Sequence, residues 1–460
     1  MSVPNDSVVF SNSNTNPVVS VVLSIDRSGS MGAVIGGDFT VPITRLQKVQ
    51  MAAAIFVTNM QCPEMDGIDV ADYLGVISFS TVTDICVPED GGKELLELLH
   101  LTDKEDVHKR ILALTPGGGT YLGKACQKGS ELLENYSIPR AQILLSDGLS
   151  TQRGFSAEDL NPDIPVYTIG YTSNSGNQNP QNDDLLQEIA DHTGGLYYPS
   201  VLPDDLTDIY NDIASQLGMF KVVVSESRRF RSFFSTLICD VPAGQRPGEK
   251  FAFRIVLTWQ DSRIKFVGRD ILSNNEITVY LRQGNSLVPL EVVQDFDDFG
   301  LPNSAIMLKG ELTESGDPYE TRRLTVLLGG HNSEYVDVRV ALLVYDRSIS
   351  FDAQVESAKI TQGDDIKYQL RVLDDGEPVE RVNYNILMSV GEGDDIATPY
   401  NRQQELNLAG AKEGKDHFLR GSIKAYNEGT HKFKVEAQGY SEKSGKKFKL
   451  TRLMNVRVTI

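Results

Sequence analysis

Three separate stretches of the sequence carry oxygen side chains of the kind that bind a hard metal ion. Asp26, Ser28 and Ser30 occupy every second position of one stretch. Thr120 ends a glycine-rich stretch, and Asp147 follows the strand-like run Ile143-Leu144-Leu145-Ser146. Hydroxyl and carboxylate oxygens are the ligands that Mg²⁺ prefers, and Mn²⁺ or Ca²⁺ would accept a similar set. We therefore expect one Mg²⁺ centre if the fold brings these three stretches together.

The elements around these residues are typical of a parallel sheet. Residues 18–23 form an apolar, β-branched run that predicts a strand buried on both faces. Strand-like and helical patterns then alternate as far as residue 217, which predicts parallel pairing and a doubly wound sheet. Ligands of such sheets bind beyond the carboxyl ends of the strands. We also expect an irregular, glycine-rich rim at 33–44 and a helix over 94–100.

The first stretch alone would not predict a metal, because Asp and Ser also cap helices. The whole pattern, Asp-x-Ser-x-Ser with a distant Thr and a distant Asp, resembles the metal-ion-dependent adhesion site of von Willebrand factor A (vWA, integrin I-like) domains, over 17–217. The resemblance implies that the two serines and the threonine contact the metal directly or through water. It implies that the two aspartates act largely through waters or as hydrogen-bond acceptors behind the ligands. The matching positions are Asp26, Ser28, Ser30, Thr120 and Asp147.

The character of the chain changes after residue 217. Strand patterns recur at short spacing with turn residues between them, which predicts β-sandwich structure. The expected fold class is multidomain α/β plus all-β: a doubly wound, mostly parallel, Rossmann-like sheet followed by two β-sandwich domains. This layout resembles calcium-activated chloride channel regulators without their protease domain. The expected units are an N-terminal arm at 1–16, a vWA domain at 17–217, and β-sandwiches at 218–348 and 349–460, the last one Ig/fibronectin-like.

The charge distribution narrows the class of partner. The net charge of −19 argues against a protein that binds nucleic acid through its phosphates. Residues 411–460 nevertheless hold twelve Lys or Arg against five Asp or Glu. This excess predicts a solvated basic face, with a docking surface for an acidic partner as the alternative. No stretch is apolar enough to span a bilayer. The start lacks an export signal, so we expect the cytoplasm, or the cell surface if the chain is processed.

These observations favour metal-dependent protein–protein recognition or adhesion without catalysis. A metal held by few charged ligands would accept an Asp or Glu carboxylate from a protein partner, and the loops around the metal are the expected partner-binding surface. One alternative is a scaffold or assembly subunit that holds an ATPase or another copy of itself. A hydrolase is a further alternative, but Ser28 replaces the first glycine of the Gly-x-Ser-x-Gly elbow, and no motif brings His100 or His192 to Ser30.

Acidic doublets in the β region form a separate candidate. They fall near predicted turns, where Asp is favoured for local hydrogen bonding, and a Ca²⁺ site is the alternative interpretation. The doublets lie at 297–298, 364–365, 374–375 and 394–395.

Overall fold

A computed structural model gives the fold of the chain. The predicted N-terminal arm at 1–16 lies outside the described residues. The model describes residues 18–459, with gaps at 38–41, 67–69, 89–93, 138, 148–149, 151–153, 172–179, 202–204, 231–234, 242–249, 260–264, 267–275, 284–285, 289, 297–303, 314–321, 330–335, 345–348, 375, 392–403, 406–411, 415 and 444–445.

The first half of the chain alternates strands with helices, as expected. The strands are β1 (Ser20–Asp26), β2 (Val34–Gly37), β3 (Pro42–Thr44), β4 (Tyr73–Phe79), β5 (Thr83–Val87), β6 (Leu96–Glu97), β7 (Arg140–Ser146), β8 (Val166–Tyr171) and β9 (Tyr197–Val201). The helices are α1 (Arg45–Asn59), α2 (Pro63–Asp66), α3 (Leu101–Leu112), α4 (Leu122–Leu133), α5 (Pro180–Thr193) and α6 (Leu206–Gln216). Among the described helices, none combines the length and apolar character that a bilayer span requires.

Strand β1 lies in the middle of the main sheet, whose order is β5-β4-β1-β7-β8-β9, with β6 paired to β4. It runs parallel to β4 on one side and β7 on the other. All seven of its residues are buried. Leu23 and Ile25 pack into a core that contains α1, α3 and α6, whereas Val22 faces a second core with Leu132 of α4. Helices therefore cover both faces, which confirms the predicted doubly wound sheet.

Two local predictions were wrong. Residues 94–100 do not form a helix. Leu96–Glu97 instead pairs antiparallel with β4, and this edge position buries Leu98. The glycine-rich stretch 33–44 contains the antiparallel hairpin β2–β3. In both places, backbone pairing to a neighbouring strand provides hydrogen bonds that no local residue pattern records.

The second half of the chain is all β in its described residues. The first β unit has strands β10 (Lys221–Phe230), β11 (Ser235–Val241), β12 (Lys250–Trp259), β13 (Lys265–Phe266), β14 (Glu276–Gln283), β15 (Ser286–Val288), β16 (Glu291–Asp295), β17 (Ser304–Thr313), β18 (Arg322–Gly329) and β19 (Val336–Val344). They form one sheet of order β10-β19-β12-β17-β16 and another of order β11-β18-β14-β13, with β15 on β14.

The second β unit follows the same plan. Its strands are β20 (Ile349–Val355), β21 (Lys359–Thr361), β22 (Asp365–Asp374), β23 (Glu377–Pro378), β24 (Val382–Gly391), β25 (Gln404–Glu405), β26 (Lys412–Glu413), β27 (Leu419–Lys424), β28 (Gly429–Ser441) and β29 (Lys446–Thr459). They form the sheets β20-β22-β27-β26 and β21-β29-β28-β24-β25, with β23 on β22. Side chains of both sheets share one hydrophobic core, so this unit is a β-sandwich. The fold class is thus α/β plus all-β.

The hydrophobic core of the α/β part continues into the first β unit. Phe56 of α1 and Ile213 of α6 belong to the same buried cluster as Met307 of β17 and Leu343 of β19. A polar contact accompanies this packing, because the buried guanidinium of Arg254 donates to the carbonyl oxygen of Thr58 at 2.9 Å. Helices α1 and α6 therefore lie between the parallel sheet and the first β sheet. The domain boundaries proposed from the sequence remain predictions.

Helix α6 and its N-cap residue, Asp205, carry carboxylates that pair with cations from both β units. Asp208 accepts from Arg339 at 3.1 Å, and Asp205 pairs with both Arg339 and Lys432. Burial works to raise the pKa of Asp205, but Lys432 and Arg339 together lower it to about 2. At least one of the basic residues in the C-terminal region, Lys432, therefore forms an ion pair within the protein instead of facing solvent.

Asp212 makes the most buried of these contacts. Its Oδ1 lies 2.8 Å from Nε of Arg452 and accepts from the backbone N–H of Leu453 at 3.2 Å. Its Oδ2 accepts from the hydroxyl of Tyr198 at 2.7 Å and from the amide of Gln216 at 2.9 Å. One carboxylate thus joins α6, β9 and the second β unit.

Neutralising Asp212 tests this junction. Asp212→Asn leaves Arg452 buried without its countercharge, so we expect the free energy of unfolding in urea to fall by about 3 kcal/mol. Asp184→Asn is the matched control, because Asp184 pairs with Lys359 but its side chain is 54% exposed. This control should cost less than about 1 kcal/mol. Equal effects of the two substitutions would contradict a buried junction at α6.

The buried imidazole of His108 predicts a pH effect. Burial lowers the pKa of His108 to about 4, and its Nε2 contacts the carbonyl oxygen of Ala54 at 3.1 Å. The unfolded chain therefore binds more protons than the folded chain between about pH 4 and 6.5, and stability falls as the pH falls through that window. From pH 7 to 5, the wild type should lose about 2 kcal/mol more than His108→Gln in urea titrations. Parallel losses in the two proteins would refute this.

Candidate metal centre

The backbone brings the predicted stretches to one edge of the parallel sheet. β1 and β4 end side by side, with Asp26 opposite Phe79, and a 3₁₀ turn, Gly29–Gly32, follows β1. The backbone N–H of Gly29 donates to the carbonyl of Gly118 at 3.0 Å, and that of Gly117 donates to the carbonyl of Arg27 at 2.7 Å. These two bonds fix the glycine-rich loop before α4 against the loop after β1.

Three of the predicted side chains form a continuous chain of hydrogen bonds. The hydroxyl oxygens of Ser28 and Ser30 lie 3.0 Å apart, and Ser30 donates to Oδ1 of Asp147 at 2.6 Å. The structure therefore unites side chains that lie 117 positions apart in sequence.

Asp26 stands behind this chain as a fully buried carboxylate, 0% exposed. Its Oδ1 accepts from the backbone N–H of Ser28 at 2.7 Å, and its Oδ2 accepts from the hydroxyl of Ser146 at 2.7 Å. Burial raises the pKa of Asp26 to about 6, although the hydrogen bonds from Ser146 and Ser28 act in the opposite direction. Both carboxylate oxygens are engaged by protein groups, which suits a role beside a metal rather than in direct contact with it.

Thr120 is buried on the glycine-rich loop next to these residues. The backbone N–H of Tyr121 donates to the carbonyl of Ser80 at 2.8 Å, which fixes the end of this loop to the turn after β4. Thr120 therefore lies at the same sheet edge as the serines. All five predicted residues occupy this edge: four are linked by hydrogen bonds, and Thr120 is placed by its loop.

Sequence reasoning missed two residues of this centre. Ser146, at the end of β7, supports Asp26. Arg45, the first residue of α1, pairs through its guanidinium with Oδ2 of Asp147. The sequence contained one signal for Arg45, since a cation at the first position of a helix opposes the helix dipole and needs another reason to be there.

The arrangement fits a small, hard cation. Two neighbouring ligands of an octahedral Mg²⁺, each about 2.0–2.1 Å from the metal, lie about 2.9 Å apart, and the hydroxyl oxygens of Ser28 and Ser30 are separated by 3.0 Å. The donors are all oxygen. No group of three or more His, Cys, Asp or Glu side chains that could hold a metal occurs in the described part of the chain. A centre built here would therefore use hydroxyl groups, with Asp26 and Asp147 behind them.

The rim of the centre is partly apolar and partly charged. Val34, in the hairpin after the metal loop, is 62% exposed, and Val82, in the turn after β4, is 56% exposed. Arg27 pairs with Asp84 at 2.8 Å on the same rim. Ser30 itself is exposed. The centre therefore opens to solvent on a face that bears apolar side chains and the Arg27–Asp84 ion pair.

Comparisons with known proteins give a broad likeness only. No family model matches the chain, and no curated protein matches it. Among solved structures, a von Willebrand factor type A protein from Catenulispora acidiphila is 14% identical, with a TM-score of 0.35 over 79% of this chain and 64% of that chain. The ArnB paralog VWA2 from Sulfolobus acidocaldarius is 11% identical, with a TM-score of 0.28 over 96% and 66%.

A third solved structure is the pilus adhesin SpaC from Lactobacillus rhamnosus GG in an open conformation. It is 13% identical, with a TM-score of 0.33 over 97% of this chain and 56% of that chain. The chain thus spans less than two thirds of the length of each of these three proteins. With scores this low, the fold class rests on the strand order described above. The resemblance of the layout to chloride channel regulators stays a prediction.

A substitution at Gly118 tests whether the conformation of the glycine-rich loop requires glycine at this position. Its φ is +84°, and an added Cβ would lie 2.9 Å from Oγ1 of Thr81. Gly118→Ala should therefore lower the free energy of unfolding by about 1–2 kcal/mol. Gly117→Ala is the matched control, since no atom lies within 4 Å of its added Cβ. Urea titration of both variants checks this, and an unchanged midpoint for Gly118→Ala would show that the loop adapts.

Proposed function

We propose that this protein recognises a protein partner through a Mg²⁺ ion held at the edge of the parallel sheet. One observation supports this most: the Ser28 and Ser30 hydroxyls form a hydrogen-bonded chain to Asp147, and Asp26 is buried directly behind them. Carboxylates that accept protons from hydroxyl groups orient the oxygen lone pairs of those hydroxyls toward a metal. Ser28, Ser30 and Thr120 would hold the ion, and Asp26 and Asp147 would support it through waters.

The bound ion would supply an electrophilic position that accepts a carboxylate oxygen in place of water. Uncharged hydroxyl ligands leave the positive charge of the ion incompletely neutralised, so an Asp or Glu of the partner would complete the balance. Ser30 is exposed, and Val34 and Val82 offer apolar surface on the same rim. An acidic side chain flanked by apolar groups is the partner chemistry that this face suits.

The site favours binding over hydrolysis. Ser30 donates its proton to Asp147, whereas the serine of a Ser-His-Asp hydrolase donates its proton to an imidazole. His192 contacts the carbonyl oxygen of Leu160 at 3.2 Å, and His100 lies 3.5 Å from Glu64. Both imidazoles are thus engaged with other groups, so we propose a binding protein rather than an enzyme.

A calorimetric titration with Mg²⁺ as the only ligand tests the metal part of the proposal. We expect Ser30→Ala to weaken Mg²⁺ binding by about tenfold or more. Asp84→Asn should bind as the wild type does, because Asp84 lies on the same rim but pairs with Arg27. Titrations with Mn²⁺ and Ca²⁺ rank the metals. A wild type that takes up none of the three ions would refute the proposal.

A capture experiment from native extract tests the recognition part. The wild type, Ser30→Ala and Asp84→Asn are each immobilised in Mg²⁺ and in EDTA. A partner held by the wild type and Asp84→Asn in Mg²⁺, and lost in EDTA and with Ser30→Ala, supports metal-dependent recognition. A partner that stays bound in EDTA contradicts it and favours a permanent scaffold contact elsewhere on the chain.

A further inference from the structure

We propose that Arg45 is a built-in counter-ion of the metal centre: it holds Asp147 in place when no divalent cation is bound, and it competes with that cation for Asp147. This inference rests on the proposed metal site and concerns the regulation of its occupancy. Its consequence is that the affinity for Mg²⁺ is set by exchange between a tethered cation and a free one.

The geometry places Arg45 inside the centre. Its guanidinium pairs with Oδ2 of Asp147, while Oδ1 of the same carboxylate accepts from Ser30 at 2.6 Å. The Asp147 side chain is 0% exposed and that of Arg45 is 13% exposed. The pair is therefore shielded from solvent. A charge interaction in such a buried position is far less screened than one at the surface. Both oxygens of Asp147 are therefore engaged by protein groups.

The fold delivers Arg45 to this position specifically. The hairpin β2–β3 returns the chain to the metal loop, and the backbone N–H of Arg45 donates to the carbonyl of Ala33 at 3.0 Å. Thr44 caps α1 together with Gln47, so the helix begins at Arg45. The first turn of α1 contains no acidic residue. A cation is disfavoured at this end of a helix, so the contact with Asp147 is what makes its placement favourable.

The charges make the competition unavoidable. With Arg45 paired to Asp147, the positive charge of the guanidinium already offsets one of the two carboxylates. A divalent cation at the Ser28 and Ser30 oxygens would lie on one side of the Asp147 carboxylate, with the Arg45 guanidinium on the other side. Two cations that share one counter-ion repel each other. Binding of the metal must therefore weaken or break the pair between Arg45 and Asp147, and the pair must in turn weaken the metal.

Mg²⁺ titrations of Arg45 variants test this inference. Removing the competing charge in Arg45→Gln should tighten Mg²⁺ binding by about tenfold, and Arg45→Lys, which keeps the charge, should bind close to the wild type. Arg27→Gln is the matched control, because Arg27 is the neighbour of Asp26 in sequence but pairs with Asp84. It should leave the Mg²⁺ affinity unchanged. Calorimetry with MgCl₂ alone measures all four proteins.

Thermal melting provides a readout independent of the titration. In EDTA, Arg45→Gln should melt below the wild type, because Asp147 loses its counter-ion. Added Mg²⁺ should then raise the melting temperature of Arg45→Gln more than that of the wild type. Arg45→Lys should behave like the wild type in both conditions. Arg45→Met, which removes the charge but keeps an unbranched side chain, provides the same test if Arg45→Gln does not fold.

The outcomes separate this inference from the proposed function. If the wild type binds Mg²⁺ and Arg45→Gln binds equally or more weakly, Arg45 is not a competitor and the inference fails while the metal site stands. If neither protein binds a divalent cation, the metal site itself fails. If Arg45→Gln gains affinity and Arg27→Gln gains as much, the effect is one of general surface charge, which also overturns the inference.

Discussion

The edge of the parallel sheet is organised by the need to compensate carboxylates that have no access to water. Asp26 ends the central strand and is fully buried, and Asp147 directly follows the neighbouring strand β7 with its side chain equally buried. Burying a charge is costly unless hydrogen bonds or a countercharge accompany it. The local structure meets this requirement with the backbone N–H of Ser28, the hydroxyl groups of Ser30 and Ser146, and the guanidinium of Arg45. A divalent cation would meet the same requirement, which is why the site suits one.

Helix α6 also carries carboxylates that need compensation, and here the compensating charges come from other parts of the chain. Its aspartates are paired with Arg339 of the first β unit and with Lys432 and Arg452 of the second. The apolar side of the helix joins the core that extends from the parallel sheet to the first β unit. Packing and charge therefore act together on one helix, and the three parts of the chain are joined there by buried contacts.

Short patterns in the sequence predicted the strand-and-helix alternation and the five residues at the sheet edge, because strand burial and strand ends leave local signatures. Contacts across long separations left none. Arg45 meets Asp147 across 102 positions, and the pairing of Leu96 with Leu74 turned an expected helix into a strand. No sequence pattern predicted that one hydrophobic core extends across residue 217, because periodicity shows that a helix face is buried but not what covers it. The metal and its partner remain predictions.

The position of β1 has a mechanical consequence. Its register with β4 runs from Ser20↔Tyr73 to Asp26↔Phe79, and β7 pairs along its other side. A pull applied at the metal loop along the axis of this strand would shear both ladders of hydrogen bonds together instead of opening them one at a time. Rupture would then require many bonds to fail at once, and an anchor attached at this edge would resist tension better than one attached to a peripheral strand such as β9.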